Sequence, residues 1–546
     1  MCGIFAYLGK NISKSKIKLN FNLIKSRGPD NSQFVSINNN IHLGFHRLSI
    51  NDLSKKGDQP IYHPEDKNLI LICNGEIYNF ENLREENSFI NYSSNSDCEI
   101  ILWLYKKYGI EKTVTLLDGV FSFVIVDLNI NKIFAARDPF GIRPLFLGSI
   151  DDEILISSEI KSISELCDNI IPFNPGSWWC KEDGFKSYYN YNYTMNNVDK
   201  LIFDENEYCK NIKLKLNEAV EKRLLSDRKI GCLLSGGVDS SLIAALVAKH
   251  YKKGELETFS IGIKGAVDLK YAQMVADHIG SKHHSIELTE QDMLNAIPEV
   301  IYNIESMDTT TVRASVPNYL VSKYIKENTD CKVIFQGDGM DEVGGSYLYL
   351  ANAPSDTEFH NECINLLKEI HMFDVLRADR TIADNGLEPR TPFLDKSFVN
   401  YYMSIPVELR MHSDKIEKYI LRKSFENDNL LPEEVLWRRK EAFSDGCSSE
   451  KKSWSNIIKE HVNDIITDDE FNQISQQYIH NKPLLKESLY YRIIFDKHYK
   501  KFSKIIPHFW MPKWTKSNVI DPSARILDDV YNKDYKIREK NICKTI

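Results

Sequence analysis

Two short segments of the chain carry residue types that could do covalent or phosphate chemistry. Cys2 directly follows the initiator methionine, and a small second residue permits removal of Met1, which would place a thiol and a free α-amine on one residue. Such an amine, with a pKa of about 7.7–8.0, can act as the general base for its own thiol. Further along, residues 235–241 have the sequence SGGVDSS, which combines glycines, hydroxyls and a carboxylate. The first segment predicts an N-terminal nucleophile and the second an anion-binding turn.

The glycine-rich turn lies between an apolar strand, predicted over residues 230–234, and an apolar helix, predicted over 242–250. At such a turn, backbone N–H groups and the positive end of the helix attract phosphate. The chain has neither a GxxxxGK[ST] loop nor a GxGxxG fingerprint, which excludes the two common nucleotide-binding loops. Because a Gly-Gly turn before a helix is common, the motif needs support from other segments.

The elements that must position these residues indicate two kinds of fold. In the first part of the chain, short apolar runs separated by turn residues predict strands over 69–73, 121–126 and 154–157, with a helix over 99–108. Continuous apolar runs are typical of strands buried on both faces, as in a layered α+β domain. From residue 208 onward, helices alternate with short strands, predicted over 230–234, 258–263 and 332–335. This alternation predicts an α/β fold with a parallel sheet.

These patterns divide the chain into four parts. We predict a first domain over residues 1–190, a linker rich in Tyr and Asn over 191–207, a second domain over 208–512 and a C-terminal tail over 513–546.

The composition excludes several classes of protein. Lys and Arg number 69 against 77 Asp and Glu, a net charge of −8, so no overall positive field recruits nucleic acid. No apolar run approaches the roughly 18–20 residues of a membrane helix, and the N-terminal segment lacks the basic start of a signal peptide. The eleven cysteines include no CxxC pair, which argues against a zinc ribbon or a disulfide framework. We therefore expect a cytosolic protein that binds neither nucleic acid nor membrane.

Six further segments accompany Cys2 in the first part of the chain. They are RGPD (27–30), HRLSI (46–50), NGEIYN (74–79), SDCE (96–99), LDGVFSF (117–123) and RDPFGIRPL (137–145). With Cys2 in front, this ordered set resembles the class II glutamine amidotransferase domain, an N-terminal-nucleophile hydrolase. The resemblance implies an αββα layered fold.

The resemblance also implies roles for individual residues. The Cys2 thiolate would attack the side-chain amide of glutamine, forming a γ-glutamyl thioester and releasing ammonia, while Asn74 and Gly75 stabilise the oxyanion. Arg47 would bind the α-carboxylate of glutamine, because a guanidinium pairs well with a carboxylate. Glu76 and Asp97 would bind the α-ammonium. The remaining glutamine-binding positions follow Arg47 directly and are Leu48, Ser49, Ile50 and Asn51.

In the second part, SGGVDSS resembles the pyrophosphate loop of the ATP pyrophosphatases, which cleave ATP to AMP and pyrophosphate. The match extends to TTTVRAS (309–315), EPRTPFLD (388–395), WRRKEAFSDG (437–446) and DPSAR (521–525). Together with the amidotransferase motifs, nearly the whole chain resembles the glutamine-hydrolysing asparagine synthetases. That family converts aspartate to β-aspartyl-AMP and uses ammonia from glutamine, carried inside the protein, to displace AMP.

For the second site, the resemblance implies contacts with ATP, aspartate and a metal ion. The positions for ATP and pyrophosphate are Leu233, Ser235, Gly236, Gly237, Asp239, Ser240, Ile261, Gln336, Gly337 and Lys440. Asp239 and Asp341 would bind Mg²⁺, which enters with ATP, and no prosthetic group is expected. Thr310, Thr311 and Arg313 would lie near aspartate and pyrophosphate. The expected partners are thus the small molecules glutamine, aspartate and ATP, and the resemblance is compatible with a homodimer.

One loop departs from the family pattern. The family's SGEGSDE stands here as QGDGMDE over residues 336–342, so Asp338 replaces a glutamate associated with forming the aspartyl-adenylate. Its carboxylate is one methylene shorter, and a shift near 1 Å can lower a rate about a hundredfold. We therefore keep a second hypothesis, a glutaminase whose synthetase half is slow, altered or inactive.

Other classes fit the sequence less well. Glucosamine-6-phosphate synthase and glutamine phosphoribosylpyrophosphate amidotransferase would share the first half but lack SGGVDSS, and β-lactam synthetases generally lack the working cysteine. A non-catalytic ATP-binding protein would bind ATP without forming AMP. His283 and His284 are adjacent, but no HExxH motif or cysteine pair accompanies them, so we expect a structural role.

Overall fold

The computed structural model describes residues 1–88, 90–194, 204–412, 416–449, 452–515 and 519–523. Most of the predicted tail and part of the predicted linker lie outside these described residues, as do Ala524 and Arg525 of the DPSAR motif.

Two six-stranded sheets build the N-terminal part of the chain. Their strands are β1 (Gly3–Leu8), β2 (Asn31–Asn38), β3 (Ile41–Arg47), β4 (Ile61–His63), β5 (Asp66–Ile77), β6 (Gly119–Asp127), β7 (Lys132–Arg137), β8 (Phe146–Ile150), β9 (Glu153–Ser157), β10 (Asn169–Pro172), β11 (Ser177–Cys180) and β12 (Gly184–Ser187). The order is β10-β8-β9-β1-β3-β2 in one sheet and β12-β11-β7-β6-β5-β4 in the other. The helices are α1 (Lys14–Phe21), α2 (Phe80–Glu85) and α3 (Ile100–Leu116).

The two sheets stack face to face, because Leu43 of the first sheet and Ile72 and Val124 of the second belong to one buried apolar cluster. Helices α2 and α3 cover the outer face of the second sheet. Helix α1 and several helices of the C-terminal part cover the outer face of the first. The layered αββα arrangement is therefore confirmed, and its strands are buried on both faces because each sheet has an apolar partner on either side.

Helix α3 is longer than the 99–108 predicted for it. It extends to Leu116 through a kink at Gly109, whose φ is +74°. The glycine interrupts the helical pattern of apolar residues in the sequence, but the chain resumes a helix after it and buries Thr113 and Val114.

A five-stranded sheet organises the C-terminal part, in the order β15-β14-β13-β16-β17. Its strands are β13 (Ile230–Leu233), β14 (Glu257–Ile263), β15 (Lys282–Leu288), β16 (Val333–Phe335) and β17 (Glu388–Arg390). All its pairings are parallel, which confirms the predicted α/β fold.

Helices surround this sheet, and they are α4 (Glu205–Glu221), α5 (Val238–Ala248), α6 (Val267–Ile279), α7 (Glu290–Ile304), α8 (Thr309–Asn328), α9 (Met340–Val343), α10 (Asp356–Glu369), α11 (Asp374–Ala383), α12 (Lys396–Ser404), α13 (Val407–Arg410), α14 (Tyr419–Phe425), α15 (Glu433–Leu436), α16 (Phe443–Gly446), α17 (Trp454–Ile465), α18 (Asp468–Ser475) and α19 (Lys486–Tyr499). Within the described ranges, no helix is both long and apolar enough to cross a lipid bilayer.

Helix α5 begins at Val238, inside the glycine-rich motif, and not at residue 242 as predicted. Asp239 therefore lies in the first helical turn. A carboxylate is favourable there because the helix dipole is positive at that end.

Candidate active sites

Cys2 directly precedes β1 and lies beside Asn74, which is predicted to stabilise an oxyanion. Its backbone N–H donates to Oδ1 of Asn74 at 2.9 Å, and its Sγ lies 3.7 Å from the carbonyl oxygen of Leu48. Asn74 is fully buried on β5, and its Nδ2 has no hydrogen-bond partner among the described residues. A fixed amide with a free N–H next to a thiol is the arrangement that oxyanion stabilisation requires.

Gly75, the other predicted donor, packs tightly against strand β6. A Cβ atom added there would lie 2.7 Å from the Cα of Phe121. No larger residue fits at this position without displacing the neighbouring strand.

Met1 is present in this chain and is buried against the C-terminal part. Its amine lies 3.6 Å from Oε2 of Glu388 on β17. Burial raises the pKa of the Cys2 thiol to about 11, so a nearby base has to remove its proton. Removal of Met1 would supply that base as the α-amine of Cys2 itself.

Arg27 is a contact of Cys2 to which sequence reasoning gave no role. Its Nε donates to the carbonyl oxygen of Cys2 at 3.0 Å, and its side chain is fully buried. The RGPD motif contains this arginine, so the motif marks the position but does not reveal the contact.

The predicted glutamine-binding residues include a loop that contacts the cysteine through Leu48. Leu48, Ser49, Ile50 and Asn51 form the loop that follows β3. Arg47, the last residue of β3, is buried and forms an ion pair with Asp58 at 2.7 Å. It also donates to the carbonyl oxygen of Ser54 at 2.8 Å. These contacts fix the guanidinium beside the loop.

The two predicted acids are both buried. Asp97 accepts a hydrogen bond from the Ile77 backbone at 2.7 Å, and Glu76 accepts one from the Asn51 side chain. Burial raises the pKa of Asp97 to about 6. Burial, together with Glu388 and Asp97, raises the pKa of Glu76 well above its usual range. Two such acids favour a cation between them, because a positive charge would restore their ionised forms.

The second site is a cavity of about 280 Å³ at the carboxyl ends of β13, β14 and β16. Ligands bind in this crevice in open α/β sheets. The predicted residues that line it are Leu233, Ser235, Gly237, Asp239, Ser240, Ile261, Thr310, Thr311, Arg313, Gln336, Gly337, Asp338, Asp341 and Lys440. The structure thus brings together residues that are more than 200 positions apart in the chain.

Hydrogen bonds from backbone N–H groups to serine hydroxyls of the same motif stabilise the glycine-rich turn. Ser240 Oγ accepts from the Ser235 backbone N–H at 3.1 Å, and Ser235 Oγ accepts from the Gly237 N–H at 3.3 Å. Gly236 has φ +74°, and a Cβ there would lie 2.5 Å from the Cβ of Tyr271. The turn therefore requires glycine at this position.

Two lysines join the predicted metal-binding acids. Lys418 forms ion pairs with Asp239 and, at 2.6 Å, with Asp341, while Lys440 pairs with Asp341. Burial alone would raise the pKa of Asp341, but the two lysines hold it well below its usual range. The second carboxylate oxygen of Asp239, Oδ1, is buried and has no partner within the part of the chain that the structure describes.

Sequence reasoning missed Lys418, which belongs to none of the motifs. It is buried and has φ +60°, a left-handed conformation that is uncommon for a lysine. Such strained residues occur mainly where surrounding contacts over-determine the backbone. The ion pairs with Asp239 and Asp341 supply those contacts.

Asp338, the residue that departs from the family pattern, pairs with Arg377 at 2.6 Å. Burial raises its pKa, and Arg377 opposes that effect. The neighbouring Gln336 is 3% exposed, and neither of its amide atoms has a hydrogen-bond partner among the described residues. Both side chains are thus placed against the cavity.

Thr310, Thr311 and Arg313 lie at the cavity, but protein groups already engage their polar atoms. Both threonine hydroxyls donate to Asp308, at 2.6 and 2.8 Å. Arg313 pairs with Glu487 at 2.6 Å and with Asp521 of the DPSAR motif at 2.9 Å. A substrate carboxylate would have to share this guanidinium with two acids.

His283 and His284 lie on β15, and neither of them lines the cavity. His283 hydrogen-bonds to Thr258 and Ser260, both at 2.9 Å, and His284 to Glu257 at 2.7 Å. Among the described residues, no group of three or more potential metal ligands occurs.

A partly buried cysteine next to the N-terminus, an unpaired amide N–H of Asn74 beside it and a cavity with a glycine-rich turn on a parallel sheet are typical of one class of protein. In that class, a glutamine amidotransferase domain is joined to an ATP-dependent synthetase domain. Family profiles agree. The profile described as "Glutamine amidotransferase domain" matches residues 1–205, and that described as "Asparagine synthase" matches 211–358 and 350–518. The chain belongs to the family of glutamine-hydrolysing asparagine synthetases.

Relatives resemble the chain over almost its whole length. "Asparagine synthetase [glutamine-hydrolyzing]" of Gallus gallus is 45% identical over 96% of this chain and 98% of that protein. The proteins of the same name from Rattus norvegicus and Homo sapiens are 43% and 42% identical with the same coverage. Among solved structures, glutamine phosphoribosylpyrophosphate amidotransferase from B. subtilis, complexed with ADP and GMP, is 16% identical with a TM-score of 0.31, over 52% of this chain and 81% of that chain.

Proposed function

We propose that this chain makes asparagine by the reaction ATP + L-aspartate + L-glutamine + water → AMP + pyrophosphate + L-asparagine + L-glutamate. The observation that carries this proposal is the presence of two sites in one chain. One is a cysteine beside an unpaired amide donor, and the other is a cavity lined by a glycine-rich turn, two acids and two lysines. The names of the relatives support the choice of substrates.

At the first site, glutamine binds with its α-carboxylate at Arg47 and its α-ammonium between Glu76 and Asp97. After Met1 is removed, the α-amine of Cys2 takes the thiol proton, and Sγ attacks the side-chain amide carbon. Asn74 Nδ2 and the Gly75 N–H stabilise the oxyanion. The carbon–nitrogen bond then breaks, ammonia leaves with the proton, and water hydrolyses the thioester to glutamate.

At the second site, the glycine-rich turn and Lys440 bind the phosphates of ATP. A β-carboxylate oxygen of aspartate attacks the α-phosphorus, pyrophosphate leaves, and β-aspartyl-AMP forms. Ammonia then attacks the acyl carbon and AMP leaves, which yields asparagine. Asp338, held by Arg377, occupies the position associated with the adenylation step.

The acids at this site fit a magnesium ion that enters with ATP. Asp239 has a buried carboxylate oxygen without a partner in the described chain, and Asp341 is held in its ionised form by Lys418 and Lys440. One or two carboxylates plus substrate phosphates are the ligands that Mg²⁺ prefers. When bound, the ion would neutralise negative charge on the phosphates, and Asp239 and Asp341 would hold it.

A single incubation tests the whole proposal. Purified protein receives MgATP, aspartate and glutamine, and asparagine, AMP, pyrophosphate and glutamate are measured together. We expect all four in equal amounts. The Cys2→Ala variant should form asparagine with ammonium but not with glutamine.

Glutamate without AMP or asparagine would contradict the proposal and support the alternative, a glutaminase with an altered or inactive synthetase half. This alternative is motivated by Asp338, whose side chain is one methylene shorter than the glutamate of the family pattern. In that case Asp338→Glu, which restores the longer side chain, is the next variant to assay.

A further inference from the structure

We propose that Asp379, a residue of the C-terminal part, positions the nucleophile Cys2 by orienting Arg27. The proposal rests on the proposed glutaminase reaction. It makes α11 a structural component of the amidotransferase site, although that helix packs beside the cavity of the synthetase half.

The first step is the contact between Arg27 and Cys2. Arg27 Nε donates to the carbonyl oxygen of Cys2 at 3.0 Å. On its other side, the Cys2 N–H donates to Asn74. Once Met1 is removed, Cys2 becomes the end of the chain and loses its covalent tether on that side. The carbonyl contact with Arg27 then fixes the residue close to its only remaining peptide bond.

The second step is the orientation of Arg27. Asp379 binds both terminal nitrogens of the guanidinium, NH1 at 2.8 Å and NH2 at 3.2 Å. Such two-point pairing fixes the plane of a guanidinium as well as its position. Glu159, from the amidotransferase half, contacts NH1 alone, at 2.6 Å. The carboxylate that sets the direction of Nε therefore comes from α11.

The third step is the rigidity of the surrounding cluster. Arg27, Glu159, Asp379 and Arg380 are all at most 2% exposed. Arg380, the next residue of α11, pairs with Glu159 at 3.1 Å and with Glu305 at 3.2 Å. Removing one partner from a buried ion pair leaves an uncompensated charge. A change at Asp379 should therefore move Arg27, because the neighbouring acids Glu159 and Glu305 already pair with Arg380.

The same helix also reaches the second site. Arg377, two residues before Asp379, pairs with Asp338. Helix α11, of ten residues, thus contacts groups at both sites. The position of this one helix therefore affects the geometry of both.

The test compares two activities of one protein. In Asp379→Asn, we expect kcat of glutamine hydrolysis to fall at least about tenfold, because a misplacement near 1 Å can cost up to about a hundredfold. The KM for glutamine should change less than about twofold, because Arg27 contacts the nucleophile and not the substrate site. Asparagine synthesis from ammonium should stay near the unaltered rate, which also shows that the variant is folded.

Four further variants complete the experiment. Asp384→Asn is the matched control, since Asp384 directly follows the same helix and accepts a hydrogen bond from Ser26 at 2.7 Å without touching Arg27. The kcat of this variant should not change. Asp379→Glu keeps the charge but displaces the carboxylate, and should show the same selective loss to a smaller extent. In an Arg27→Met background, Asp379→Asn should lower kcat no further.

Equal loss of the glutamine- and ammonium-dependent activities would overturn the proposal, because a merely structural role predicts that result. So would an unchanged kcat in Asp379→Asn, or a further loss in the Arg27→Met background. A wild-type protein without glutaminase activity would instead contradict the proposed function.

Discussion

At the scale of single residues, the two amide atoms of Asn74 differ in their contacts, since Oδ1 is paired and Nδ2 has no hydrogen-bond partner among the described residues. Oδ1 accepts a hydrogen bond from the Cys2 backbone N–H, which holds the side chain in place, and under our proposal Nδ2 stabilises the oxyanion. We expect Asn74→Ala to lower kcat of glutamine hydrolysis about 100- to 1,000-fold, the usual effect of removing one oxyanion donor. Synthesis from ammonium should be unaffected in the same assay. An exposed control is Asn129→Ala, and a similar loss there would contradict the assignment.

Asp97 predicts a pH dependence of both binding and stability. Its pKa is raised to about 6 by burial, so the folded state holds the proton more tightly than the unfolded state, whose carboxyl titrates at 3.8. This contribution to stability is complete below about pH 4 and is lost as the pH rises through about 6. The ionised acid should therefore cost about 3 kcal/mol of stability at pH 8, and Asp97→Asn should recover it.

Urea unfolding at pH 8 measures the stability, and glutaminase kinetics measure the binding. We expect Asp97→Asn to be more stable at pH 8 and indistinguishable from the unaltered chain near pH 4. Its KM for glutamine should rise, while in the unaltered chain that KM should rise as the pH falls below about 6. A variant that binds glutamine normally would argue against the role of Asp97 as an ammonium ligand.

At the scale of elements, the glycine-rich turn shows what sequence patterns can predict. The apolar run of β13, the two glycines and the apolar α5 are adjacent in the chain, and local patterns give such elements directly. By contrast, Lys418 meets Asp239 across 179 positions, and Asp379 meets Arg27 across 352. Such pairs depend on how the helices pack, which no local pattern encodes. The resemblance to a family located the motifs but not these connections.

The backbone of the turn gives a prediction with a matched control. Gly236 and Gly254 both have positive φ, +74° and +84°. A Cβ at Gly236 would collide with Tyr271, whereas nothing lies within 4 Å of one at Gly254. We expect Gly254→Ala to cost only about 1–2 kcal/mol for its left-handed backbone. Gly236→Ala should also raise the KM for ATP in the ammonium-dependent assay, with glutaminase activity retained. Equal effects of the two changes would contradict a role for this turn in binding ATP.

At the scale of the whole molecule, buried charges connect the two parts of the chain. Arg143 follows β7 in the amidotransferase half, and Glu388 belongs to β17 of the parallel sheet. Arg143 Nη2 lies 3.7 Å from Glu388 Oε2. Glu388 also pairs with Arg390 at 2.9 Å. Because a buried charge that loses a partner is costly, separation of the two parts would be unfavourable: it would take Glu388 from Arg143 and would leave Glu388 with Arg390 alone. We therefore expect the two parts to unfold together near neutral pH.

Glu388 makes this connection sensitive to acid. Burial alone would raise its pKa, but Arg390, the Met1 amine and Arg143 hold it at about 2, below the ordinary 4.5. Its contribution to stability is therefore complete above about pH 4.5 and is lost as the pH falls toward 2. Between pH 7 and pH 3 the unaltered chain should lose about 2 kcal/mol through this group. Arg390 and Arg143 remain as partners after Met1 is removed.

Glu388→Gln tests the idea, because glutamine cannot titrate. In urea unfolding at pH 7, the variant should be less stable by about 3–5 kcal/mol, the usual cost of removing one partner from a buried ion pair. Its stability should fall less between pH 7 and pH 3 than that of the unaltered chain. Fluorescence and circular dichroism should report one shared transition in the unaltered chain at pH 7. Two separate transitions there, or an equal loss in both proteins between pH 7 and pH 3, would show that Glu388 does not join the two parts.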